Sequence, residues 1–209
     1  MITTVTTNCL LYPKYAQRLK GLIDMLHFSL DSPDRDEHDT SRGVKCFDKV
    51  MESLTIAKSL GERPDIIFTV LESNVHHIQR LWEEFCIGQN LVLILNPVFE
   101  YNEVGGQLTK ETLQVLSWWG KQKNVYLYEA FIQLRIDGGN HTQDPICKAA
   151  STTLVISPEN KLVLPCYHLG LKEFPIDGKL LELYHSEEVQ KLIALEGKLP
   201  ACEGCAINC

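Results

Sequence analysis

Short apolar runs alternate with longer amphipathic stretches through the first two thirds of the chain. Ile2–Thr7, Met25–Asp31, Ile66–Leu71 and Leu91–Val98 are rich in β-branched and apolar residues, which predicts four strands. Between them the apolar period lengthens. Phe47, Val50, Met51, Leu54, Ala57 and Leu60 recur at three- or four-residue steps up to Gly61, which predicts a helix over Val44–Leu60. Pro13 suits the first turn of another helix, Asn74–Ile87 reads as a further one, and Thr109 as the cap of one reaching Gln122. The runs IIFTVL and LVLIL are continuously apolar, as strands covered on both faces are, and strands alternating with helices predict βα units and a parallel sheet. Such sheets bind ligands at the C-terminal ends of their strands. Those ends are Thr7-Asn8-Cys9, Ser29-Leu30-Asp31, Leu71-Glu72-Ser73-Asn74 and Asn96–Tyr101.

The rhythm changes near Gly138-Gly139-Asn140 and Pro145, which predicts a division into residues 1–145 and 146–209. Beyond it, Thr152–Ser157 and Lys161–Pro165 read as a hairpin around a Pro-Glu-Asn turn, and Ser186–Leu195 as a short helix.

Composition narrows the function. The 209 residues carry a formal net charge of −7, so no basic stripe is available for nucleic acid or an anionic membrane. No apolar run approaches the ~18 residues of a membrane span. The N-terminus has no charged segment leading into an apolar one, so no secretory signal is visible and a cytoplasmic setting is expected. In that setting the eight cysteines are not expected to form a disulfide framework. Cys9, Cys46 and Cys86 are scattered, whereas Cys147, Cys166, Cys202, Cys205 and Cys209 crowd the C-terminal region.

The crowded set has the spacing C-x18-C-x35-C-x2-C-x3-C. A C-x-x-C turn aims two thiolates at one centre, and a hairpin returns its ends to one place, so Cys147 and Cys166 can join Cys202 and Cys205. Four thiolates satisfy either tetrahedral zinc or a [4Fe–4S] cluster, and the spacing leaves both open. Cys209 is a fifth thiol: a spare ligand, a bridge to another cluster, or idle.

These segments resemble the radical S-adenosylmethionine enzymes that carry a C-terminal SPASM or Twitch auxiliary cluster domain. The resemblance rests on Thr6-Thr7-Asn8, Ser29-Leu30-Asp31 through Asp39 with Arg42-Gly43, the helix that follows, Cys147, Val155–Cys166 and Cys202-Glu-Gly-Cys205. It implies an α/β fold: an incomplete (β/α) barrel of about four βα units, then a small β-hairpin iron–sulfur domain. It also implies an auxiliary [4Fe–4S] cluster on Cys147, Cys166, Cys202 and Cys205, and a SAM ribose near Ser29 and Asp31. The parent activity would be reductive SAM cleavage followed by hydrogen abstraction from a substrate. The family's C-x3-C-x2-C is absent, as is the glycine-rich segment that holds the methionine amino group. The chain therefore reads as lacking the first two βα units, with Ile2–Thr7 the third barrel strand. SAM cleavage by this chain alone is not expected, and SAM with a second cluster belongs to a full-length parent. The alternative is a non-catalytic iron–sulfur or zinc protein, serving electron transfer or acting as a structural subunit. The expected partners are an unidentified substrate and an electron-donor protein. An apolar edge is expected at Ile2–Thr7, with poor solubility as its consequence.

Other features carry less. Adjacent His76 and His77 point to different helix faces and read as a solvated helix start. Asp34–Asp39 reads as a solvated, charged loop. His168 and His185 are substitute ligands for a thiol, Glu100 and Tyr101 candidate cavity residues, and Trp118-Trp119 one core and one interfacial residue. Cys9 reads as a lone structural thiol.

Overall fold

The structure, a computed structural model, describes residues 2–98 and 108–207. The chain divides into two compact units, Met1–Glu129 and Ala130–Cys209. The division falls before the Gly138-Gly139-Asn140 turn, because the backbone of that turn bonds to the Cys202–Cys205 loop rather than to the preceding strands.

The first unit is a five-stranded parallel sheet in the order β1 (Thr4–Thr7), β2 (Met25–Ser29), β3 (Asp65–Val70), β4 (Leu93–Pro97) and β5 (Val125–Leu127). Helices α1 (Tyr12–Leu19), α2 (Arg35–Arg42), α3 (Phe47–Leu60), α4 (Ile78–Leu81) and α5 (Lys110–Trp119) connect the strands. Ile66, Phe68 and Val70 of β3 are buried while Asp65, Ile67 and Thr69 between them are half-buried. One face of β3 is thus fully covered and the other only partly, where the continuous apolar run had predicted both. Tyr12 of α1 packs edge-on against Phe28 of β2, with ring centroids 4.8 Å apart. Gly61 closes α3 in the left-handed conformation, as its position after the last apolar residue predicts.

Three local readings are corrected. Asp34–Asp39 is not a solvated loop: Arg35–Arg42 is a helix, with Asp36 and Glu37 in its first turn, Arg42 in its last, and Gly43 as left-handed C-cap. A lone apolar-side residue, buried His38, anchors it, so no apolar period announced it. The parallel sheet has five strands rather than four, since β5 is only three residues long. The stretch after β3 is helical but changes pitch, from a 3-10 turn (Val75–His77) through α4 to a π segment (Trp82–Ile87).

β1 pairs with β2 alone among the described residues. Its outer edge is threonine-rich, with Thr4 and Thr6 exposed, so the apolar edge expected there is confined to half-buried Val5 and exposed Ile2. Among the described residues no helix is long and apolar enough to cross a membrane.

The second unit holds a three-stranded antiparallel sheet, β6 (Val155–Ile156), β7 (Lys161–Leu164) and β8 (Lys172–Pro175). Helix α6 (Glu129–Ile136) leads into this unit, and α7 (Ala149–Thr152), α8 (Leu180–Tyr184) and α9 (Glu187–Ile193) complete it. The predicted hairpin is present and Asn160 takes the positive-φ turn position, but Thr152 ends a helix instead of opening a strand. Ala150, Leu162, Leu164, Phe174 and Val189 form this unit's small core. Ser186 caps α9 by accepting from the Val189 N–H.

Candidate functional site

The four candidate ligands all belong to the second unit and are reduced thiols; Cys147, Cys166 and Cys205 are half-buried and Cys202 is buried. Cys209 lies outside the described residues, as do Glu100 and Tyr101. Burial raises the pKa of Cys147, a backbone N–H at Ala149 opposes that, and charge on Cys205 or Cys202 would raise it further. Burial likewise raises Cys205, the Ile207 N–H opposes it, and Cys202 and Cys166 add repulsion. Every one of the four sulfurs is therefore within electrostatic reach of another. Cys166 Sγ also accepts the Leu169 N–H, at 3.5 Å. Three of the four sulfurs thus face a fixed backbone donor, which favours the thiolate that a metal requires.

Asn140 holds this arrangement, and sequence reasoning missed it. Its side chain is 3% exposed and bridges three separate segments. Nδ2 donates to the carbonyls of Gly197 (2.8 Å) and Cys202 (3.1 Å). Oδ1 accepts from the N–H groups of Ile146 and Cys147, both at 3.2 Å. Its own N–H donates to the Cys205 carbonyl and its carbonyl accepts from Gly204. A Gly-Gly-Asn run signals a turn on any surface, and nothing local distinguishes this buried Asn from a solvated one.

Two glycines permit the close approach. At Gly139 (φ +90°) a Cβ would stand 2.3 Å from the Gly204 carbonyl oxygen. At Gly197 (φ +71°) it would stand 2.7 Å from Pro145 Cβ and 3.0 Å from Cys147 Cβ. Glu203, between Cys202 and Cys205, accepts from the Thr142 N–H (2.8 Å), the Thr142 hydroxyl (2.6 Å) and the His141 ring (3.2 Å). The Thr142 donors lead in holding its pKa down, at about 2. Glu196 accepts from Ala150 and Ser151 at the start of α7, just past Cys147.

Four thiolates satisfy either a tetrahedral zinc or a [4Fe–4S] cluster.

In the first unit, Ser29 and Asp31 are both buried at the C-terminal end of β2. Asp31 is already engaged. Its Oδ1 accepts the Thr69 N–H (3.0 Å), and its Oδ2 is 2.6 Å from Arg42 Nε, a contact whose N–H is poorly aligned for a hydrogen bond but whose charges still attract. The Asp31 N–H in turn donates to His38 Nδ1 (3.1 Å). Asp31 borders a cleft of 610 Å³ at the ends of β2 and β3, together with Ser32, Glu37, Ser73, His76 and His77. His77 is buried rather than solvated, and both histidines border this one cleft with rings 4.0 Å apart.

No protein-family model matches the chain, and no curated protein matches it. Solved structures do. SuiB of Streptococcus suis bound to S-adenosylmethionine matches at a TM-score of 0.67 and 17% identity, covering 92% of this chain and 49% of that one. The same protein bound to its precursor peptide SuiA matches at 0.65. Native anSMEcpe with bound AdoMet matches at 0.63 and 16% identity, covering 95% of this chain and 60% of that one. The likeness is one of fold. This chain spans between half and three fifths of the length of the structures it matches.

Proposed function

We propose that this chain derives from the radical SAM enzymes and that its second unit binds an auxiliary [4Fe–4S] cluster through Cys147, Cys166, Cys202 and Cys205. The observation that carries this reading is the thiol arrangement: four sulfurs each in electrostatic reach of another, three facing backbone N–H donors, and the segments of Cys147, Cys202 and Cys205 tied by Asn140. The fold shared with AdoMet-bound SuiB and anSMEcpe supports it. When bound, such a cluster supplies one-electron transfer, and four thiolate ligands leave it no open iron site. The protein's part is to fix the thiolates and screen them with N–H groups.

Reductive SAM cleavage stays with a full-length parent. The C-x3-C-x2-C for the SAM-chelating iron is absent from this sequence, and the Asp31 carboxylate is already paired with Arg42 and Thr69. Electron transfer, or a structural role beside another chain, is the reading that suits what remains, with an electron-donor protein as partner.

Anaerobic reconstitution with iron and sulfide tests both parts. About four iron and four sulfide per chain, lost in Cys166→Ala, is the expected result. One zinc and no sulfide overturns the cluster. Formation of 5′-deoxyadenosine from SAM by the chain alone overturns the division of labour.

A further inference from the structure

Helix α2 forms one wall of the 610 Å³ cleft at the ends of β2 and β3. Asp36, Glu37, Thr40 and Ser41 line the space from the helix, and Ser73 and His76 line it from the segment after β3. At eight residues α2 is too short to persist by itself in water, so its place depends on its tethers. The ion pairs Arg35–Asp48 and Arg80–Asp34 lie on the surface, where such pairs hold little. Further in, Arg42 meets Asp31, Glu37 meets His77, and Asp39 Oδ1 accepts the N–H groups of Cys46 and Phe47. The one α2 residue that is buried is His38.

His38 Nδ1 accepts the Asp31 N–H at 3.1 Å, and its Nε2 lies 3.3 Å from Cys46 Sγ. A neutral imidazole has one N–H and one lone pair, so the bond from Asp31 fixes the tautomer: lone pair on Nδ1, proton on Nε2. The ring thereby joins the end of β2 to the residue that opens α3. A second proton can go only to Nδ1, the atom that already receives a backbone N–H. Protonation sets two donors against each other there and places a cation in a site closed to water.

We propose that His38 is a proton-operated latch: the neutral ring holds α2 as a wall of the cleft, and the protonated ring releases it. The groups facing the ring act in both directions. Burial leads in lowering the His38 pKa; Asp31 of β2 opposes that, Arg42 of α2 adds to it, and Asp39 of α2 opposes it. From the start of α3 the ring meets the Cys46 thiol, whose own pKa burial raises, and the Phe47 ring, with centroids 5.9 Å apart. A released ring regains the ordinary histidine value of 6.5. The closed wall is therefore fully stable above that value and weakens as pH falls below it toward the lowered, folded one.

Amide hydrogen exchange in the full chain, corrected for the intrinsic pH dependence of exchange, reads the latch. The Asp31 amide and the amides of α2 are expected to open about fivefold or more at about pH 5.5 relative to about pH 7.5, with the β4 amides unchanged. His38→Gln has no ring to titrate and is expected to lose that rise, whatever its stability. His77→Gln, which removes the other histidine in contact with α2, is expected to keep it at the Asp31 amide. Equal protection at both pH values overturns the proposal, as does a rise that survives in His38→Gln or disappears in His77→Gln. An equal rise in the β4 amides overturns it too, since it would mark global unfolding. Should His38→Gln fail to fold, nitrogen-15 NMR of the histidine rings in the unaltered chain carries the decision. An Nε2–H tautomer whose titration removes the protection of the Asp31 amide is expected. An Nδ1–H tautomer, or a ring that titrates while that amide stays protected, overturns the latch.

Discussion

Cysteine occupies two opposite settings in this protein. In the first unit Cys9, Cys46 and Cys86 are sealed from solvent. Burial dominates their chemistry, lifting the pKa of Cys9 and Cys86 to about 12. In the second unit the thiols are mostly half-exposed, each is near another, and backbone donors oppose the cost of charging Cys147 and Cys205. The difference lies in what surrounds the sulfur. Apolar packing makes a thiol an inert filler, whereas a polar, hydrogen-bonded loop leaves it freer to ionise.

The largest expected effect breaks the polar half of this comparison. Asn140→Ala strands the N–H groups of Ile146 and Cys147 and the carbonyls of Gly197 and Cys202, at about 1–3 kcal/mol for each buried group left unpaired. Gly139→Ala forces a Cβ into the Gly204 carbonyl and is expected to cost a similar total. Both variants should lose iron incorporation and lower the denaturation midpoint of the second unit. A Gly139→Ala chain that still takes up iron at full stoichiometry would remove the loop geometry from the explanation.

A smaller effect sharpens the contrast without mutation. Native alkylation near pH 8, followed by peptide mass spectrometry, should modify Cys147, Cys166 and Cys205 while sparing Cys9, Cys46 and Cys86 until the chain is denatured. Labelling of Cys9 or Cys86 in the native chain would contradict their burial.

The smallest effect is a pH dependence. The folded pKa of Glu203 is held at about 2, below the ordinary carboxylate value. Its stabilisation of the Thr142–Cys202 loop is therefore fully present above the unfolded value near 4.5 and lost as pH falls toward 2. The melting difference between the unaltered chain and Glu203→Gln should be present at neutral pH and shrink across that window. A constant difference would mean that the carboxylate charge is not what Thr142 and His141 recognise.

How much of this was legible depended on the range of the interaction. The α3 stripe with its Gly61 stop, the Thr109 cap and the hairpin turn at Asn160 are local, and the apolar rhythm with its punctuation announces each of them. The C-x-x-C turn is also local. Helix α2 escaped because its one inward anchor is a histidine, and β5 and β8 because three or four residues are too few for a period. Asn140 escaped for a deeper reason. Its partners Gly197 and Cys202 lie 57 and 62 residues away, and only the fold brings them together. His77 was misplaced for the same cause, its partner Glu37 belonging to another βα connection.

The π segment Trp82–Ile87 says something about how such a chain can change length. Phe85 and Cys86 are buried within it. A π turn accommodates a residue beyond the α-helical repeat and confines the resulting twist to itself, so the apolar faces before and after stay in register. In evolutionary terms it is a place where an insertion or deletion of one residue is absorbed. The same event in α3 would rotate every following side chain by about 100° and turn Leu54 and Ala57 away from the sheet.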